Sequence, residues 1–417
     1  MKSTLKPYLN FLWNNTLWLS VALLNYSTAL SSIGLGLFFV REMVAILKTI
    51  RSNKVAATFN ISGEKWVCGG LLASFLVIVC VSVIQGNEIS NLGSYLQIKL
   101  PLLLVFGLLG FGKGTIRPGK WSWLIYLLPL FWIIAASCVH YFQHFEFYSQ
   151  MVLESKPIPM FTKIYHIEFG AITAIMILLF LEQSTWDKSS ISYKKLANVV
   201  ALLTAIGLHV LALRTGIVML YVGLLFWGWK YFKSMEVISR KWHWAIPVSL
   251  VVAVATLYSL PSVKHRMANT SEDISIIVQG GDSNHRSLGQ RVEAWRAAVN
   301  AIKANPWGVG VDGEFDALMR GYEESKTKLL MVHRIGIHNQ FLQMGVQGGW
   351  LAMGLMVVAL SWAFLNWNSG YWILVLMSGL MVESFMERQS GILISIVILL
   401  AAAQNWRQSR FKPQEIE

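Results

Sequence analysis

Charge is scarce in this chain. Only 14% of its 417 residues are charged, whereas 55% are hydrophobic, and the mean hydropathy is +0.51. A soluble domain of this size needs far more polar surface, so the composition excludes a soluble globular protein. Apolar runs of roughly 20 residues, the length that crosses a bilayer, recur along the chain. The sequence therefore predicts an all-α, polytopic membrane protein.

Cysteine is almost absent as well. Cys68, Cys80 and Cys138 all lie within apolar runs, without a Cys-x-x-Cys motif or a Cys/His pairing. Such thiols behave as small hydrophobic groups, so neither a disulfide framework nor a structural zinc site is expected. The sequence also has no phosphate-binding Gly-Lys-Thr loop, no dinucleotide fingerprint and no Ser/His/Asp nucleophile elbow. These common soluble enzyme chemistries are excluded.

The apolar runs predict about twelve transmembrane helices. They lie near residues 9–24, 28–47, 66–85, 94–112, 121–140, 163–182, 196–212, 215–232, 243–260, 339–365, 370–384 and 390–405. The first two runs follow each other without a small-residue cleavage site, which favours real spans over a signal peptide. Residues 1–260 are thus expected to hold spans one to nine, 261–337 one large external loop with amphipathic helices, and 338–417 the last three spans and a cytoplasmic tail.

The basic residues behind the net charge of +13 are concentrated in the loops that join these spans. Nineteen lysines and arginines fall in alternate loops and at the termini, against three in the short loops between them. The positive-inside rule then predicts cytoplasmic termini and an external long loop. The basic pI therefore reflects topology, and no nucleic-acid partner is expected. Arg41 and Lys99 fall inside spans, from which long side chains are expected to snorkel to the interface.

Arg214 interrupts an apolar stretch, residues 196–230, that is too long for one span. Turn chemistry at Gly216 predicts a helix hairpin there, with Arg214 at the outer membrane face. The arginine could be an interfacial anchor that snorkels to lipid headgroups. Alternatively, its guanidinium offers a fork of donors that suits phosphate oxygens.

A second arginine, Arg291, lies on a helix predicted within the long loop. Ser287 is expected to cap this helix, which runs to about Ala304, where Asn305-Pro306 ends it. The pattern predicts Arg291 pointing inward from an amphipathic helix that packs on the membrane surface or on the bundle. A plain interfacial helix whose arginines meet lipid phosphates is the alternative. The predicted apolar stripe of this helix is Val292, Trp295, Val299 and Ile302.

His338 opens the span that follows the long loop. Histidine at a span end is often structural, yet imidazole suits proton abstraction at neutral pH. Glu383 and Glu387, spaced i,i+4 at the outer end of the eleventh span beside Arg388, could either orient His338 or pair with an arginine. Simple charge compensation is the alternative.

Two further groups resemble metal sites. His140 and His144 lie i,i+4 with Glu146 nearby, but they lack a third firmly spaced ligand. An acidic group lacks the spacing of a twelve-residue calcium loop; its members are Asp312, Glu314 and Asp316. No metal site is predicted.

The order of four motifs resembles the O-antigen ligase and O-antigen polymerase superfamily. They are Arg214-Thr215-Gly216, Gly289-Gln290-Arg291-Val292-Glu293-Ala294-Trp295, Asn305-Pro306-Trp307-Gly308-Val309-Gly310, and His338-Asn339-Gln340-Phe341-Leu342 with Gly345 and Gly348-Gly349. Each motif alone is weak, but their order around one large external loop is specific. The resemblance covers mainly residues 196–405.

The resemblance implies a metal-independent, cofactor-free and inverting glycosyltransferase of the bacterial inner membrane. Such enzymes work at the periplasmic face and take a glycan from an undecaprenyl pyrophosphate carrier. Ligases pass it to lipid A-core in lipopolysaccharide biosynthesis, polymerases to another carrier-linked repeat, and related O-oligosaccharyltransferases to protein. By the same resemblance, Arg214 and Arg291 would hold the pyrophosphate and His338 would be the acceptor base.

Among the enzymes, the ligase is favoured by a small margin over the polymerase and the protein O-oligosaccharyltransferase. The family's acidic residue near the histidine has two candidates, Glu383 and Glu387, and Arg388 lies beside the second of them. A lipid-linked-glycan transporter is the non-enzyme alternative. It would need charged groups along a path through the bilayer, and midspan charges are few here.

Overall fold

A computed structural model describes residues 10–51, 63–110, 121–153, 156–186, 191–234, 261–367 and 370–410. All regular structure in these ranges is helical. The helices are α1 (Thr16–Leu24), α2 (Thr28–Arg51), α3 (Gly63–Ile84), α4 (Ile89–Gly110), α5 (Trp123–Tyr126), α6 (Leu128–Gln143), α7 (Phe145–Leu153), α8 (His166–Trp186), α9 (Ile191–Val210), α10 (Arg214–Ser234), α11 (Pro261–Gln279), α12 (Ser287–Ala304), α13 (Glu314–Glu324), α14 (Gln340–Asn366), α15 (Gly370–Leu380) and α16 (Gln389–Arg410). Short 3₁₀ turns at Met331–His333 and Phe385–Glu387 precede α14 and α16.

Helices coincide with all the predicted spans except the one near 243–260, which lies outside the described residues. Within the described part of the chain, six helices are long and apolar enough to cross a membrane, judged by length and composition. Four further apolar helices are shorter. The all-helical membrane class is therefore confirmed, while the number of spans stays a prediction.

The chain divides into two compact units. One consists of Met1–Ser122 and Gln290–Glu417, and the other of Trp123–Gly289. The boundary at Gly289 falls inside residues 261–337, which the hydropathy pattern predicts to be a single external loop. The external position of this segment remains a prediction.

Within the first unit, α3 and α14 pack closely because small residues face each other. A Cβ on Gly70 would lie 3.0 Å from the Cβ of Ala359, and a Cβ on Gly348 would lie 2.7 Å from Ile78 Cγ1. Larger side chains at these glycines would push the two helices apart. This contact fixes α14, the helix that His338 precedes.

The polar segment before α14, residues 290–337, has a core of its own, in which α12 packs on α13. Ala294, Ala297 and Ala298 are fully buried, and a Cβ on Gly321 of α13 would lie 2.1 Å from the Ala297 carbonyl oxygen. The face of α12 that packs on α13 consists mainly of small residues, because the close approach of the two helices selects small side chains. Of the predicted apolar stripe, only Ile302 is fully buried there. Val292, Trp295 and Val299 are half-buried.

The ends of α12 agree with the prediction to within one residue. The helix ends at Ala304, before Asn305-Pro306, but it begins at Ser287 itself. The backbone N–H of Leu288 donates to Asp273 Oδ2 at 3.0 Å, so the carboxylate of Asp273, and not the predicted Ser287, caps the first turn.

The second unit is organised around α8, which is buried on nearly all sides. Glycines bring α10 against it: a Cβ on Gly216 would lie 2.3 Å from the Gly170 carbonyl oxygen, and one on Gly223 would lie 2.2 Å from Leu178 Cδ1. The α11 helix is tied to the end of α7 through Asn269 Nδ2, which donates to the Val152 carbonyl at 3.2 Å.

Candidate functional site

The first turn of α14 organises the candidate site. The side-chain oxygen of Asn339 accepts from the backbone N–H groups of Phe341 and Leu342 at 3.0 and 3.1 Å, which caps the helix. Asn339 Nδ2 donates to the Met381 carbonyl at 3.0 Å. His338, just before the cap, has a φ of 46°, a left-handed conformation that costs a non-glycine residue about 1–3 kcal/mol. Strain of this kind is characteristic of functional sites.

The His338 side chain pairs with Glu383. Its Nδ1 lies 3.0 and 2.9 Å from the two carboxylate oxygens, with Glu383 3% exposed and His338 22% exposed. An ionised carboxylate only accepts hydrogen bonds, so in neutral imidazole the Nδ1 carries the proton and Nε2 keeps its lone pair. The pair therefore presents a proton acceptor on a partly accessible ring.

Positive charges keep Glu383 ionised. Burial by itself would raise the pKa of Glu383, but the hydrogen bond and charge of His338, with the charges of Arg291 and Arg388, outweigh it and lower the pKa below its ordinary value of 4.5. Arg291 Nη1 donates to the Val382 carbonyl at 2.6 Å, and its Nη2 lies 3.8 Å from Glu383 Oε2. Three candidate residues from the sequence, His338, Arg291 and Arg388, thus act on the carboxylate of a fourth, Glu383.

Glu387, the other candidate carboxylate, has different partners. It accepts from Lys99 Nζ at 2.9 Å and from Gln340 Nε2 at 2.8 Å. Both glutamates were expected at the outer end of the eleventh span. The α15 helix ends at Leu380, so both residues lie in the connection to α16, residues 381–388. The residues of this connection do not continue α15, because their backbone and side-chain groups bond to α14 and α4 instead.

Lys99 also differs from its prediction. It does not snorkel to an interface: its side chain is 1% exposed, because the carboxylate of Glu387 and the Met386 carbonyl hold the ammonium group inside the protein. A lysine inside a predicted span is by default a functional candidate, and this signal was available in the sequence. Gln340, fully buried, carried no such signal.

The Asn305–Gly310 motif has a structural role. The α14 helix is broken at Gly349, which has φ 70° and ψ −171°. The break removes helical donors for the Val346 and Gln347 carbonyls, and the N–H groups of Val309 and Gly310 replace them at 3.0 and 2.9 Å. Trp350 N in turn donates to the Pro306 carbonyl at 3.0 Å.

Glycine is required at this junction. A Cβ on Gly308 would lie 2.5 Å from the Gln347 carbonyl oxygen, and one on Gly349 would lie 2.3 Å from the Pro306 carbonyl oxygen. Both residues also have positive φ. The motif therefore locks the polar segment onto α14 a few turns from His338.

A tyrosine secures the stretch that leads into His338. Tyr322 on α13 donates its hydroxyl to the Ile335 carbonyl at 2.9 Å, and the guanidinium carbon of Arg334 lies 5.6 Å from its ring centroid. Because burial raises the pKa of Tyr322 to about 12, the hydroxyl stays protonated and remains a donor.

Arg214 belongs to the second unit. It is the half-buried first residue of α10, after a turn in which Ala212 has a φ of 50°. The prediction of a turn at Gly216 was wrong, because Gly216 lies within α10, where its missing side chain allows contact with Gly170. The turn is at Leu211–Leu213, one helical turn earlier.

The acidic group near α13 is divided among separate partners. Asp312 Oδ2 accepts from Glu88 N at 2.6 Å, whereas Glu314 Oε2 accepts from Gln347 Nε2 at 2.7 Å. Burial, and then the charge of Glu387, raise the pKa of Glu314.

The predicted histidine group lies in the second unit. His140 Nε2 is 2.7 Å from the Tyr148 hydroxyl, and its ring stacks edge-on with His144. Across the described ranges, no group of three histidine, cysteine, aspartate or glutamate residues is placed to hold a metal ion.

Fold and site together define a class. This is a multi-pass helical membrane protein in which histidine, carboxylate and arginine converge where an apolar helix begins. The family model described as O-antigen ligase matches residues 199–357, which include Arg214, Arg291 and His338. Residues 199–357 therefore match the O-antigen ligase family model, and the resemblance seen in the motifs is confirmed.

Members of this family are membrane glycosyltransferase-like enzymes of the ligase or polymerase type. No curated protein matches the chain significantly. Glu383, Glu387 and Arg388 lie beyond the matched region.

Proposed function

We propose that this protein is an O-antigen ligase-like glycosyltransferase of the bacterial inner membrane. It transfers a glycan from undecaprenyl pyrophosphate to a hydroxyl of lipid A-core at the periplasmic face. The observation that carries this proposal is the His338–Glu383 pair, which offers a proton acceptor beside the guanidinium of Arg291. A base next to a phosphate-binding cation is what transfer from a pyrophosphate donor requires.

In the proposed reaction, the acceptor oxygen attacks the anomeric carbon of the donor glycan. A carbon–oxygen bond forms to the acceptor, and the bond between the anomeric carbon and the pyrophosphate oxygen breaks. The bonding electrons leave with undecaprenyl pyrophosphate, while the acceptor proton moves to His338 Nε2. Because one displacement occurs, the anomeric configuration is inverted.

The arginines have the complementary role of holding the leaving group. A guanidinium has five N–H donors, so Arg291 can keep its bond to the Val382 carbonyl and still donate to a phosphate oxygen. We assign Arg214 the same role on chemical grounds. Fixed cations at the leaving group stabilise the charge that develops as the bond breaks.

Reconstitution tests the proposal. The purified protein in vesicles is given a pyrophosphate-linked glycan donor and, separately, lipid A-core, a second carrier-linked repeat, or an acceptor protein. Transfer to lipid A-core is the expected result. Chain growth on the carrier would instead identify a polymerase, and transfer to protein an O-oligosaccharyltransferase.

Transfer is predicted to need no divalent cation. Asp312 and Glu314 accept hydrogen bonds from different partners, Glu88 N and Gln347 Nε2. Full activity is therefore expected in excess EDTA, measured after dialysis against chelator. Loss of activity that magnesium or manganese restores would overturn this prediction, and Asp312→Asn would then test whether the acidic group is the site.

Residues 261–337 are predicted to face the periplasm. A cysteine at Arg296, which is 57% exposed on α12, should react with an impermeant maleimide added to intact spheroplasts. Cysteines at Lys54 and Arg117, in loops assigned to the cytoplasm, serve as matched controls and should react only after lysis. Protection of position 296 in intact spheroplasts would contradict the topology and the proposed side of action.

A further inference from the structure

Lys99 is a buried cation that the proposed chemistry does not use. It lies within α4, and its Nζ donates to Glu387 Oε1 at 2.9 Å and to the Met386 carbonyl. The ring of Tyr95, one turn earlier, lies 4.8 Å from the ammonium nitrogen. Burying a lysine is costly unless its charge is paired and its donors are bonded, so its retention inside the bundle calls for an explanation.

The partners of Lys99 belong to the connection that carries Glu383. Gln340, the first residue of α14, holds the same turn from the other side: its Nε2 donates to Glu387 Oε1 at 2.8 Å, and its Oε1 accepts from Met386 N at 2.7 Å. The turn Phe385–Glu387 is therefore bonded to α4 through Lys99 and to α14 through Gln340.

The other end of the connection is bonded as well. The Met381 carbonyl accepts from Asn339, and the Val382 carbonyl accepts from Arg291. Glu383 thus lies between two hydrogen-bonded ends of the connection, within hydrogen-bond distance of His338 Nδ1. Three consecutive residues, His338, Asn339 and Gln340, each bind this connection.

We propose that Lys99 is a positioning residue for the His338–Glu383 pair. By holding the Met386 carbonyl and the Glu387 carboxylate, it fixes the connection in the register that brings Glu383 onto His338. This inference rests on the proposed function, in which His338 is the acceptor base. The part of the proposal that does not depend on the substrate is that Lys99 keeps residues 381–388 in one ordered conformation.

The kinetic test compares Lys99→Met, which keeps the length of the side chain but removes its charge and donors, with Lys99→Arg. Lys99→Met should reduce the transfer rate at saturation by about 10²-fold, the loss that a misplacement of roughly 1 Å can cause, with donor affinity unchanged. Lys99→Arg retains charge and donors and should recover most of the rate. Arg41→Met is the matched control, because it removes another partly buried ion pair of the same unit, that with Glu42.

A double variant distinguishes positioning from general damage. If Lys99 acts through Glu383, then adding Lys99→Met to Glu383→Gln should reduce the rate little further. Additive losses, or a Lys99→Met loss no larger than that of Arg41→Met, would show that Lys99 only stabilises the fold.

Amide hydrogen exchange supplies a measurement that needs no substrate. In Lys99→Met, peptides covering residues 381–388 should exchange faster than in the wild type, whereas Arg41→Met should leave them unchanged. Unaltered exchange in Lys99→Met would overturn the proposal even if the enzyme is active. Faster exchange in a protein that transfers no glycan would support the positioning of this connection and reject the proposed function instead.

Discussion

Replacing His338 with alanine is expected to reduce the rate of glycan transfer by about 10²–10⁴-fold, the usual loss when a general base is removed. Donor affinity should stay close to the wild-type value, because the proposed pyrophosphate contacts come from arginines. Donor binding and single-turnover transfer, measured side by side in the same vesicles, check this prediction. Weakened donor binding with an unchanged rate at saturation would mean that His338 is not the base.

Glu383→Gln refines the same prediction. Glutamine keeps an oxygen that can accept from His338 Nδ1, at 2.9 Å in the wild type, but it removes the negative charge beside the ring. The rate should therefore fall less than in His338→Ala. Because charges around Glu383 lower its pKa, the carboxylate should stay ionised throughout the neutral range and lose its charge only below its ordinary value of 4.5. Wild-type activity in Glu383→Gln would remove the carboxylate from the mechanism.

The second large effect is expected from the arginines. Arg291→Lys and Arg214→Lys keep the charge but lose the planar fork of donors, so each should weaken donor binding. Loss of one charge-assisted hydrogen bond corresponds to about 1.5–3 kcal/mol, or roughly 10- to 150-fold in affinity. Equilibrium binding of a labelled pyrophosphate-linked donor provides the measurement.

Arg296→Lys is the matched control for Arg291→Lys. Arg296 lies on the same helix but is 57% exposed and pairs with Glu293 at 2.7 Å, so its replacement should leave donor affinity unchanged. Equal donor affinity in Arg291→Lys and the wild type would show that Arg291 does not bind the donor and serves only to hold the Val382 carbonyl.

Hydropathy was sufficient to predict the helical membrane class and the approximate position of most helices. It failed where backbone bonding decides the local structure. The predicted span 370–384 stops at Leu380, because the residues that follow bond to Asn339 and Gln340 on α14. The break at Gly349 likewise could not be predicted from hydropathy, since α14 is apolar on both sides of it.

Side-chain size limited the prediction for α12. An apolar stripe was expected to consist of large residues such as Trp295, but α13 approaches so closely that alanines occupy the contact. Hydrophobicity alone does not distinguish the two faces of such a helix. The partner helix and its glycine, Gly321, must be known first.

For the site, the motifs identified the histidine and the arginines but not their partners. The sequence left Glu383 and Glu387 as equal candidates beside His338, because spacing along the chain does not determine which carboxylate faces the ring. The contacts of Lys99 and Gln340 with Glu387 separate the two. Those contacts join residues 288 and 47 positions apart in the chain, which no local pattern predicts.

The most direct test of the central claim follows the carrier lipid through a single turnover. A donor labelled in both its glycan and its undecaprenyl pyrophosphate is added to reconstituted protein together with lipid A-core. The prediction is that one undecaprenyl pyrophosphate is released for each glycan that becomes attached to lipid A-core, and that His338→Ala slows both events equally. Recovery of the donor intact on the opposite side of the vesicle membrane, with no glycan on the acceptor, would contradict it and identify a transporter.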